Sequence, residues 1–206
     1  MKKVVICCCV RDCQQYLPYI FENIKQIIIS NYDISCIFVY DNCKDKSEKL
    51  LIDYRKKSKH QVFLQKIKNT SKFRTVRIAK ARNKCLEILY NKIKYTDFHI
   101  MIDCDDVNKE KWNIELIKNY LENFDKDTWD CISFNRSFYY DIWSLMIDEY
   151  KHHCWGFNKP LDVINFIRKY ITIKLNNCKS NSINCYSAFN GFAIYKTGKF
   201  KGIRYD

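Results

Sequence analysis

The sequence predicts an α/β fold with a Rossmann-like central sheet, mostly parallel or mixed, and helices on its flanks. Two observations support this prediction: short apolar runs rich in β-branched residues alternate with segments of helical periodicity, and 47% of the residues are hydrophobic. Strand–helix alternation favours parallel strands joined by right-handed crossovers, because each helix must return the chain along a sheet face. A chain of 206 residues can bury such a core within one domain.

The alternation is regular in the first half of the chain. Continuous apolar runs are typical of strands buried on both faces. The predicted strands are residues 4–10, 35–40, 61–64 and 98–102. Apolar side chains at helical spacing predict helices between these strands. The predicted helices are residues 17–28, 47–57 and 78–90. Asp12 is expected to cap the first helix, since short acidic side chains accept hydrogen bonds from a first turn.

The pattern becomes less regular after residue 107. The weaker periodicities predict helices at 112–124 and 161–173 and strands at 130–134 and 187–195. We expect one domain over residues 1–206, with a functional boundary between residues 107 and 108.

The net charge is strongly positive. Lys and Arg number 36 against 23 Asp and Glu, which gives +13 at pH 7. This balance indicates an anionic partner, and charge alone leaves nucleic acid, phospholipid and phosphorylated small molecules open. The lysines are scattered and no recognised nucleic-acid-binding motif is present, so we expect no nucleic-acid partner.

The sequence contains 12 cysteines. None is arranged as Cys-x-x-Cys or with histidine at zinc-finger spacing, and Cys7, Cys8 and Cys9 lie within an apolar run. We therefore expect reduced, buried thiols that act as small hydrophobic side chains in a reducing compartment. No apolar run approaches the roughly 20 residues needed to span a bilayer. The expected protein is soluble and cytoplasmic.

Asp103, Cys104 and Asp105 form an Asp-x-Asp motif directly after the fourth predicted strand. Ligands of doubly wound sheets bind at the carboxyl ends of the strands, where Asp12 and Asp41 also fall. Closely spaced carboxylates repel one another, and a hard ion such as Mg²⁺ or Mn²⁺ relieves the repulsion while it binds substrate phosphates. The motif predicts a metal–phosphate site. The alternative is a solvated acidic turn that caps the next helix.

Basic residues precede and begin the third predicted helix. Arg74, Arg77 and Lys80 are spaced to share one helix face, whereas Arg82 points elsewhere. Arginine at a helix N-terminus adds donors to a dipole that already favours phosphate. The pattern predicts anion binding near the Asp-x-Asp motif, and the alternative is a solvated basic face.

Four segments occur in a characteristic order. They are Val-Val-Ile-x-x-x-x-Arg-Asp at 4–12, Phe-Val-Tyr-Asp-Asn-x-x-Asp-x-Ser at 38–47, Arg-Thr-x-Arg-Ile-Ala-x-Ala-Arg-Asn at 74–83 and Ile-Met-Ile-Asp-x-Asp at 100–105. Together they resemble the nucleotide-sugar glycosyltransferases of the A-type fold. Within that class, residues 139–145 and 187–195 are similar to segments of capsule-associated (cryptococcal-type) mannosyltransferase relatives and of giant-virus glycosyltransferases. The resemblance covers essentially the whole chain. For a viral protein, the expected cytoplasmic location would be the cytoplasm of the host cell.

The resemblance implies a nucleotide-sugar-binding half at 1–107 and an acceptor-side half at 108–206. In the first half, Val10 and Arg11 would face the nucleoside and Asp41 would bind its base or ribose. Arg77 and Arg82 would contact the diphosphate or the donor sugar.

The Asp-x-Asp motif takes its role from the same resemblance. Asp103, together with Cys104, would bind the ribose or sugar, and Asp105 with Asp103 would hold Mn²⁺ or Mg²⁺ against the diphosphate. Relatives commonly continue with an acidic segment and a histidine that complete the metal shell, whereas this chain stops at Asp206. We therefore expect either a piece of a longer enzyme or a shell completed by water.

An inverting transferase also needs a carboxylate base on the acceptor side. The candidates after the regular half are Asp141, Asp148 and Glu149. Asp141, between Tyr140 and Trp143, is the predicted catalytic base, and the alternative is a capping role in a turn.

The predicted function is divalent-metal-dependent transfer of a sugar from a UDP-linked donor, in preference to a GDP-linked one, to a glycan or other hydroxyl acceptor. Such an enzyme would be of the hexosyltransferase type. The alternatives are a metal-dependent nucleotidyltransferase or phosphohydrolase, and a nonenzymatic basic nucleic-acid-binding domain. Haloacid-dehalogenase-type phosphohydrolases carry Asp-x-Asp after the first strand, and nucleotidyltransferases usually carry a Gly-rich loop there, whereas residues 7–13 contain no glycine.

Overall fold

The structure, a computed structural model, describes residues 1–28, 32–68, 70–123, 129–135, 139–148, 161–178 and 182–206. The chain forms two compact units. The first unit is Met1–Cys131 with Ile194–Asp206, and the second is Ile132–Ala193. The division expected after residue 107 concerns function and stays a prediction.

Strands and helices alternate in the predicted order. The strands are β1 (Lys3–Val10), β2 (Asp33–Tyr40), β3 (Gln61–Lys66), β4 (Phe98–Asp103), β5 (Cys131–Ser133) and β6 (Phe192–Lys196). The helices are α1 (Leu17–Ile28), α2 (Ser47–Lys57), α3 (Arg74–Lys92), α4 (Ile114–Glu122) and α5 (Leu161–Asn176). Short 3-10 helices lie at Asp106–Asn108, Ile142–Ser144 and Thr197–Phe200.

The strands form a six-stranded sheet in the order β3-β2-β1-β4-β6-β5. Strand β1 pairs in parallel with β2 and with β4, and β2 pairs in parallel with β3. Strands β5 and β6 run antiparallel, since Lys196 N donates to Asp130 O and Phe134 N donates to Phe192 O. The predicted α/β fold with a mostly parallel, mixed sheet is confirmed.

Strand β1 is at the centre of the parallel part because its residues can be buried on both faces. From Val4 to Cys8 no residue of β1 is more than 2% exposed. The described cysteines are all free thiols, and Cys7 and Cys8 are completely buried. They fill small spaces in the core, as expected of reduced cysteines.

The helices present the predicted apolar faces to the core. Helix α1 buries Leu17, Ile20, Ile24 and Ile27 to 1% exposure or less. Helix α3 buries Ala81, Cys85, Leu86, Ile88 and Leu89. Full burial of one such aliphatic side chain contributes about 1.5–3 kcal/mol, so these faces hold the helices to the sheet.

Two local expectations are wrong. Asp12 does not cap α1: it has a positive φ of 52°, and its Oδ1 accepts a hydrogen bond from Lys44 N at 2.6 Å, while α1 begins only at Leu17. The late strand begins at Phe192 and not at residue 187. Asn190, whose side chain is buried, and Gly191, with a positive φ of 86°, form a bend directly before the strand.

The second unit has its own small core. Tyr139, Ile142, Leu145, Ile147, Ile167 and Ile171 form a buried cluster. Met146 and Ser187 form an isolated antiparallel bridge beside this cluster. Among the described residues, none of the helices combines the length and the apolar character required to cross a membrane.

Candidate functional site

The carboxyl ends of three parallel strands meet at one edge of the sheet. The register places Val10 opposite Tyr40 and Cys9 opposite Asp103, so β1, β2 and β4 end at nearly the same level. This edge carries Arg11, Asp41, Asp103 and Asp105. We predicted from the sequence that these residues lie at one edge, because the strands were expected to run parallel. The structure has this parallel register.

Arg11 and Asp41 form an ion pair at the ends of β1 and β2. The Arg11 Nη1 donates to Asp41 Oδ2 at 3.3 Å, and Asn42 N donates to Asp41 Oδ1 at 2.7 Å. Asp41 is 6% exposed, whereas the Arg11 side chain is 40% exposed and can still reach a ligand. Val10 is buried and contributes its carbonyl, which accepts from Asp41 N at 3.3 Å.

The loops that follow β1 and β2 are joined by hydrogen bonds. Cys13 N donates to Ser47 Oγ at 2.8 Å, and Gln14 N donates to Asp45 Oδ2 at 2.9 Å. In return, Lys46 N donates to the Gln14 side-chain oxygen at 2.9 Å. These contacts fix the backbone on the Arg11–Asp41 side of the edge.

Asp12, Cys43 and Asp45 are the group of possible metal ligands found within the described ranges, with ligand atoms within 4.8 Å of one another. Their carboxylates already accept backbone hydrogen bonds: Asp12 Oδ1 accepts from Lys44 N, and the two Asp45 oxygens accept from Gln14 N and Ser47 N. We interpret the group as part of the loop network, since its carboxylate oxygens already accept these backbone hydrogen bonds.

Asp103 is held by Arg82 of helix α3. The Arg82 Nη2 lies 2.9 Å from Asp103 Oδ1, and the two side chains are 14% and 18% exposed. The sequence placed both residues in the site, but it did not predict that they would pair with each other. A charged side chain of the protein therefore already compensates Asp103.

Asp105 lies in a different electrostatic environment. Burial raises its pKa above the usual 3.8, the charge of Asp103 raises it further, and Arg74 acts in the opposite direction. Its Oδ1 accepts from Val107 N at 3.2 Å and so caps the following 3-10 helix. The capping contact that was the alternative expectation is therefore present, and it uses Oδ1 alone. The metal–phosphate role of the motif stays a prediction.

Two buried asparagines fix the loop after β4. Asn108 Nδ2 donates to Asp103 O at 2.8 Å, and Asn23 Nδ2 donates to Asn108 O at 3.3 Å and to Glu110 O at 2.8 Å. Asn23 and Asn108 are 4% and 5% exposed. Sequence reasoning missed both; the polar Asn23 within the apolar face of α1 was the available signal.

Cys104 is almost completely buried, with 2% exposure. Its thiol hydrogen-bonds with that of Cys8, and burial contributes to a raised pKa of the Cys104 thiol. Because the side chain faces the core, any contact of Cys104 with a donor would use its backbone.

The arginines at the start of α3 differ in their contacts. Arg77 Nη1 donates to the carbonyls of Ser71 and Lys72 at 3.0 and 2.9 Å, which holds the loop before the helix. Arg74 is exposed and is the basic residue whose charge acts on Asp105. The predicted contact of Arg77 with the diphosphate stays a prediction.

The predicted base, Asp141, belongs to the second unit. Its Oδ1 accepts from Trp143 N at 3.1 Å and caps the 3-10 helix Ile142–Ser144, which is the alternative role considered for it. Asn190 Oδ1 accepts from Asp141 N at 2.8 Å. Asp148 Oδ1 accepts from the Tyr186 hydroxyl at 2.8 Å, and Glu149 lies outside the described residues.

The Asp-x-Asp residues fit a hard divalent ion. They offer carboxylate oxygens, and burial together with the charge of Asp103 raises the pKa of Asp105. A cation would stabilise the charged form of this carboxylate. Mg²⁺ and similar ions are commonly held by one or two carboxylates together with substrate phosphates, so a third protein ligand is not required.

Crystal structures of S. aureus TarS share this fold. The TarS 1–349 structure with UDP-GlcNAc matches 98% of this chain and 47% of its own, with a TM-score of 0.55 and 16% identity. The complex with UDP gives a TM-score of 0.53 and 16% identity, and a further structure of TarS 1–349 gives 0.52 and 14%. The chain thus spans about half the length of these proteins.

A search of curated proteins found no match to this sequence. The predicted similarity to cryptococcal-type and giant-virus enzymes is not shown by these matches and stays a prediction. A protein-family model, described as glycosyl transferase family 2, matches residues 3–196. The match includes every predicted site residue, and it extends over the sheet and the acidic strand ends described above. The chain therefore belongs to glycosyl transferase family 2.

Proposed function

We propose that this chain binds a nucleoside-diphosphate sugar with a divalent cation and transfers the sugar to a hydroxyl group of a glycan or similar acceptor. The observation that supports this most directly is the arrangement of Asp103, Asp105 and Arg82 at the carboxyl edge of the sheet. One carboxylate is compensated by an arginine, and the other has an oxygen available for a cation.

The arrangement suits a diphosphate better than a polymer of phosphates. Asp105, with Asp103, would hold Mn²⁺ or Mg²⁺, which when bound neutralises charge on the leaving nucleoside diphosphate. Arg74 and Arg82 would add positive charge on the side of α3. Fixed charges of this kind stabilise the charge that develops on the leaving group.

We assign the nucleoside to the Arg11–Asp41 side of the edge. Asp41 is held by two hydrogen bonds, whereas the Arg11 side chain is 40% exposed. UDP is the first nucleotide to test, since similar folds have been solved with UDP and with UDP-GlcNAc. GDP is the comparison nucleotide.

An acceptor hydroxyl must lose its proton during transfer. If the configuration is inverted, a carboxylate takes that proton, and Asp141 remains our candidate for this role. The bond from Trp143 N would orient the carboxylate, and the bond from Asp141 N to Asn190 Oδ1 would hold the backbone of Asp141.

Calorimetry with UDP and GDP, each with and without Mn²⁺, tests the proposal. We expect binding of a nucleoside diphosphate that depends on the metal, and a loss of that dependence in Asp105→Asn. Asp106→Asn is the matched control, because Asp106 is exposed on the same loop. Absence of binding to either nucleotide, or binding indifferent to metal and to Asp105→Asn, would overturn the proposal.

A product assay separates transfer from the alternative chemistry. Incubation with a panel of nucleotide sugars should release the nucleoside diphosphate and a free sugar slowly when no acceptor is present. Release of inorganic phosphate would instead indicate a phosphohydrolase.

A further inference from the structure

The residues after the last 3-10 helix make a sharp turn toward helix α3. Lys201 has φ −63° and ψ 125°, and Gly202 has φ +87°. Ile203 N donates to Phe200 O at 3.1 Å, so Phe200–Ile203 form a type II β-turn. A Cβ at Gly202 would meet nothing within 4 Å, so the positive φ is what favours glycine there. We refer to residues 201–206 as the strap.

The strap is attached to α3 by a pair of hydrogen bonds. Asn83 Nδ2 donates to Tyr205 O at 2.7 Å, and Tyr205 N donates to Asn83 Oδ1 at 2.8 Å. A side-chain amide that pairs with both backbone groups of one residue fixes its position along the helix. Asn83 directly follows Arg82, so the attachment point is next to the Asp-x-Asp site.

The attached tyrosine lies against Arg82. The Arg82 Cζ is 5.4 Å from the centre of the Tyr205 ring, within the range of a cation–π contact. On its other side, the same guanidinium donates to Asp103 Oδ1 at 2.9 Å. Tyr205, Arg82 and Asp103 therefore form a continuous chain of contacts from the strap to the site.

The tyrosine is itself held in a defined environment. Burial raises the pKa of Tyr205 to about 12, so the phenol stays neutral at physiological pH. The Tyr195 phenol interacts with it, and Tyr195 stacks on the buried His99 ring at 4.7 Å. The Tyr205 side chain is thus contacted from strand β6, while Asn83 holds the Tyr205 backbone.

We propose that Tyr205, held by Asn83, is a positioning residue that keeps the Arg82 guanidinium oriented on Asp103 for donor binding. An arginine side chain loses up to about 2 kcal/mol of rotamer entropy when it is fixed. A neighbouring aromatic face that already restricts the guanidinium reduces the part of this cost that falls on ligand binding. The inference rests on the proposed function, because it assigns Tyr205 to the same donor site.

Two variants at Tyr205 separate the ring from the hydroxyl. Tyr205→Leu removes the aromatic face and should weaken nucleotide binding by about three- to tenfold, the range of a partly buried cation–π contact. Tyr205→Phe keeps the face and should bind within about twofold of the unmodified chain. Asn83→Ala should resemble Tyr205→Leu, because it releases both hydrogen bonds. Lys201→Ala, at an exposed position of the strap, is the matched control.

A double-mutant cycle tests whether Tyr205 acts through Arg82. In an Arg82→Gln background, Tyr205→Leu should cause no further loss of nucleotide affinity. A merely structural tyrosine would lower affinity by the same factor in both backgrounds, and it would lower the thermal midpoint in proportion. Additive losses would overturn the proposal.

A second measurement needs no nucleotide. Relaxation of the Arg82 Nε–H group in ¹⁵N NMR should show a more mobile side chain in Tyr205→Leu and Asn83→Ala, and no change in Tyr205→Phe or Lys201→Ala. Unchanged Arg82 mobility in Tyr205→Leu would overturn the positioning role of Tyr205 and would leave the proposed function untouched. If the unmodified chain binds no nucleotide, the proposed function fails, and the donor-binding role of Tyr205 fails with it.

Discussion

The Arg82–Asp103 ion pair gives a quantitative test of the candidate site. Arg82→Gln removes the charge and keeps a side chain of similar polarity on α3. Asp103 would then keep its charge at the end of β4 without the arginine that lies 2.9 Å away. We expect the variant to lose both stability and affinity for a nucleoside diphosphate.

The magnitude follows from the burial of the pair. Loss of one partner costs about 3–5 kcal/mol when the pair is fully buried and about 0.2–1 kcal/mol when it is exposed. The two side chains here are 14% and 18% exposed, so the pair is mostly buried but still accessible to water. We therefore expect Arg82→Gln to lower the free energy of unfolding by about 2 kcal/mol.

Urea unfolding followed by circular dichroism measures this loss. The double variant Arg82→Gln with Asp103→Asn should recover about half of it, since no uncompensated charge remains. Lys84→Gln is the control on the same helix, because Lys84 pairs with Glu87 at 2.6 Å but the two side chains are 30% and 53% exposed. A loss no larger than that of the control, or no recovery in the double variant, would refute the reasoning.

Three further predictions concern pH and buried polar groups. Burial raises the pKa of Asp105 above 3.8, so Asp105→Asn should stabilise the metal-free chain at neutral pH. That gain should disappear as the pH falls to 3.8 and below, where both states are protonated. Burial lowers the pKa of His99 from 6.5 to about 3, so stability should fall as the pH drops from 6.5 toward 3, and less steeply in His99→Phe. Asn190→Ala should cost about 3 kcal/mol, because the buried side chain accepts from Tyr140 N and Asp141 N and donates to Phe134 O.

Each of these has a direct check in urea unfolding. The Asp105 prediction fails if Asp105→Asn is less stable than the unmodified chain at neutral pH without metal. Equal pH slopes for His99→Phe and the unmodified chain would contradict the account of His99. For Asn190, the exposed Asn184→Ala serves as the control, and a loss similar to that control would contradict the hydrogen-bond argument.

Much of the fold could be predicted because the core residues form apolar patterns over short stretches of the sequence. The apolar run at 4–10 has the length and composition of a strand with both faces buried, and Lys3–Val10 is that strand. The predicted start of β6 was wrong because Asn190, just before the strand, makes hydrogen bonds to residues 50 and 57 positions earlier. A pattern read over a short window does not contain such contacts.

The candidate site was predictable in its location but not in its contacts. The rule that ligands meet the carboxyl ends of parallel strands placed Asp41, Asp103 and Asp105 together. Which cation holds which carboxylate was not predictable, since Arg11 and Asp41 lie 30 positions apart in the chain and Arg82 and Asp103 lie 21 apart. The support given by Asn23 to the loop after β4 was missed for the same reason.

The sequence by itself therefore determined the order of strands and helices, the buried faces and the edge at which the acidic residues fall, because each depends on the periodicity of neighbouring residues. Only the tertiary structure decided that Arg82 compensates Asp103, that Asp105 keeps a raised pKa, and that Tyr205 reaches Arg82. Electrostatic compensation depends on distance and burial in space, and a linear pattern fixes neither.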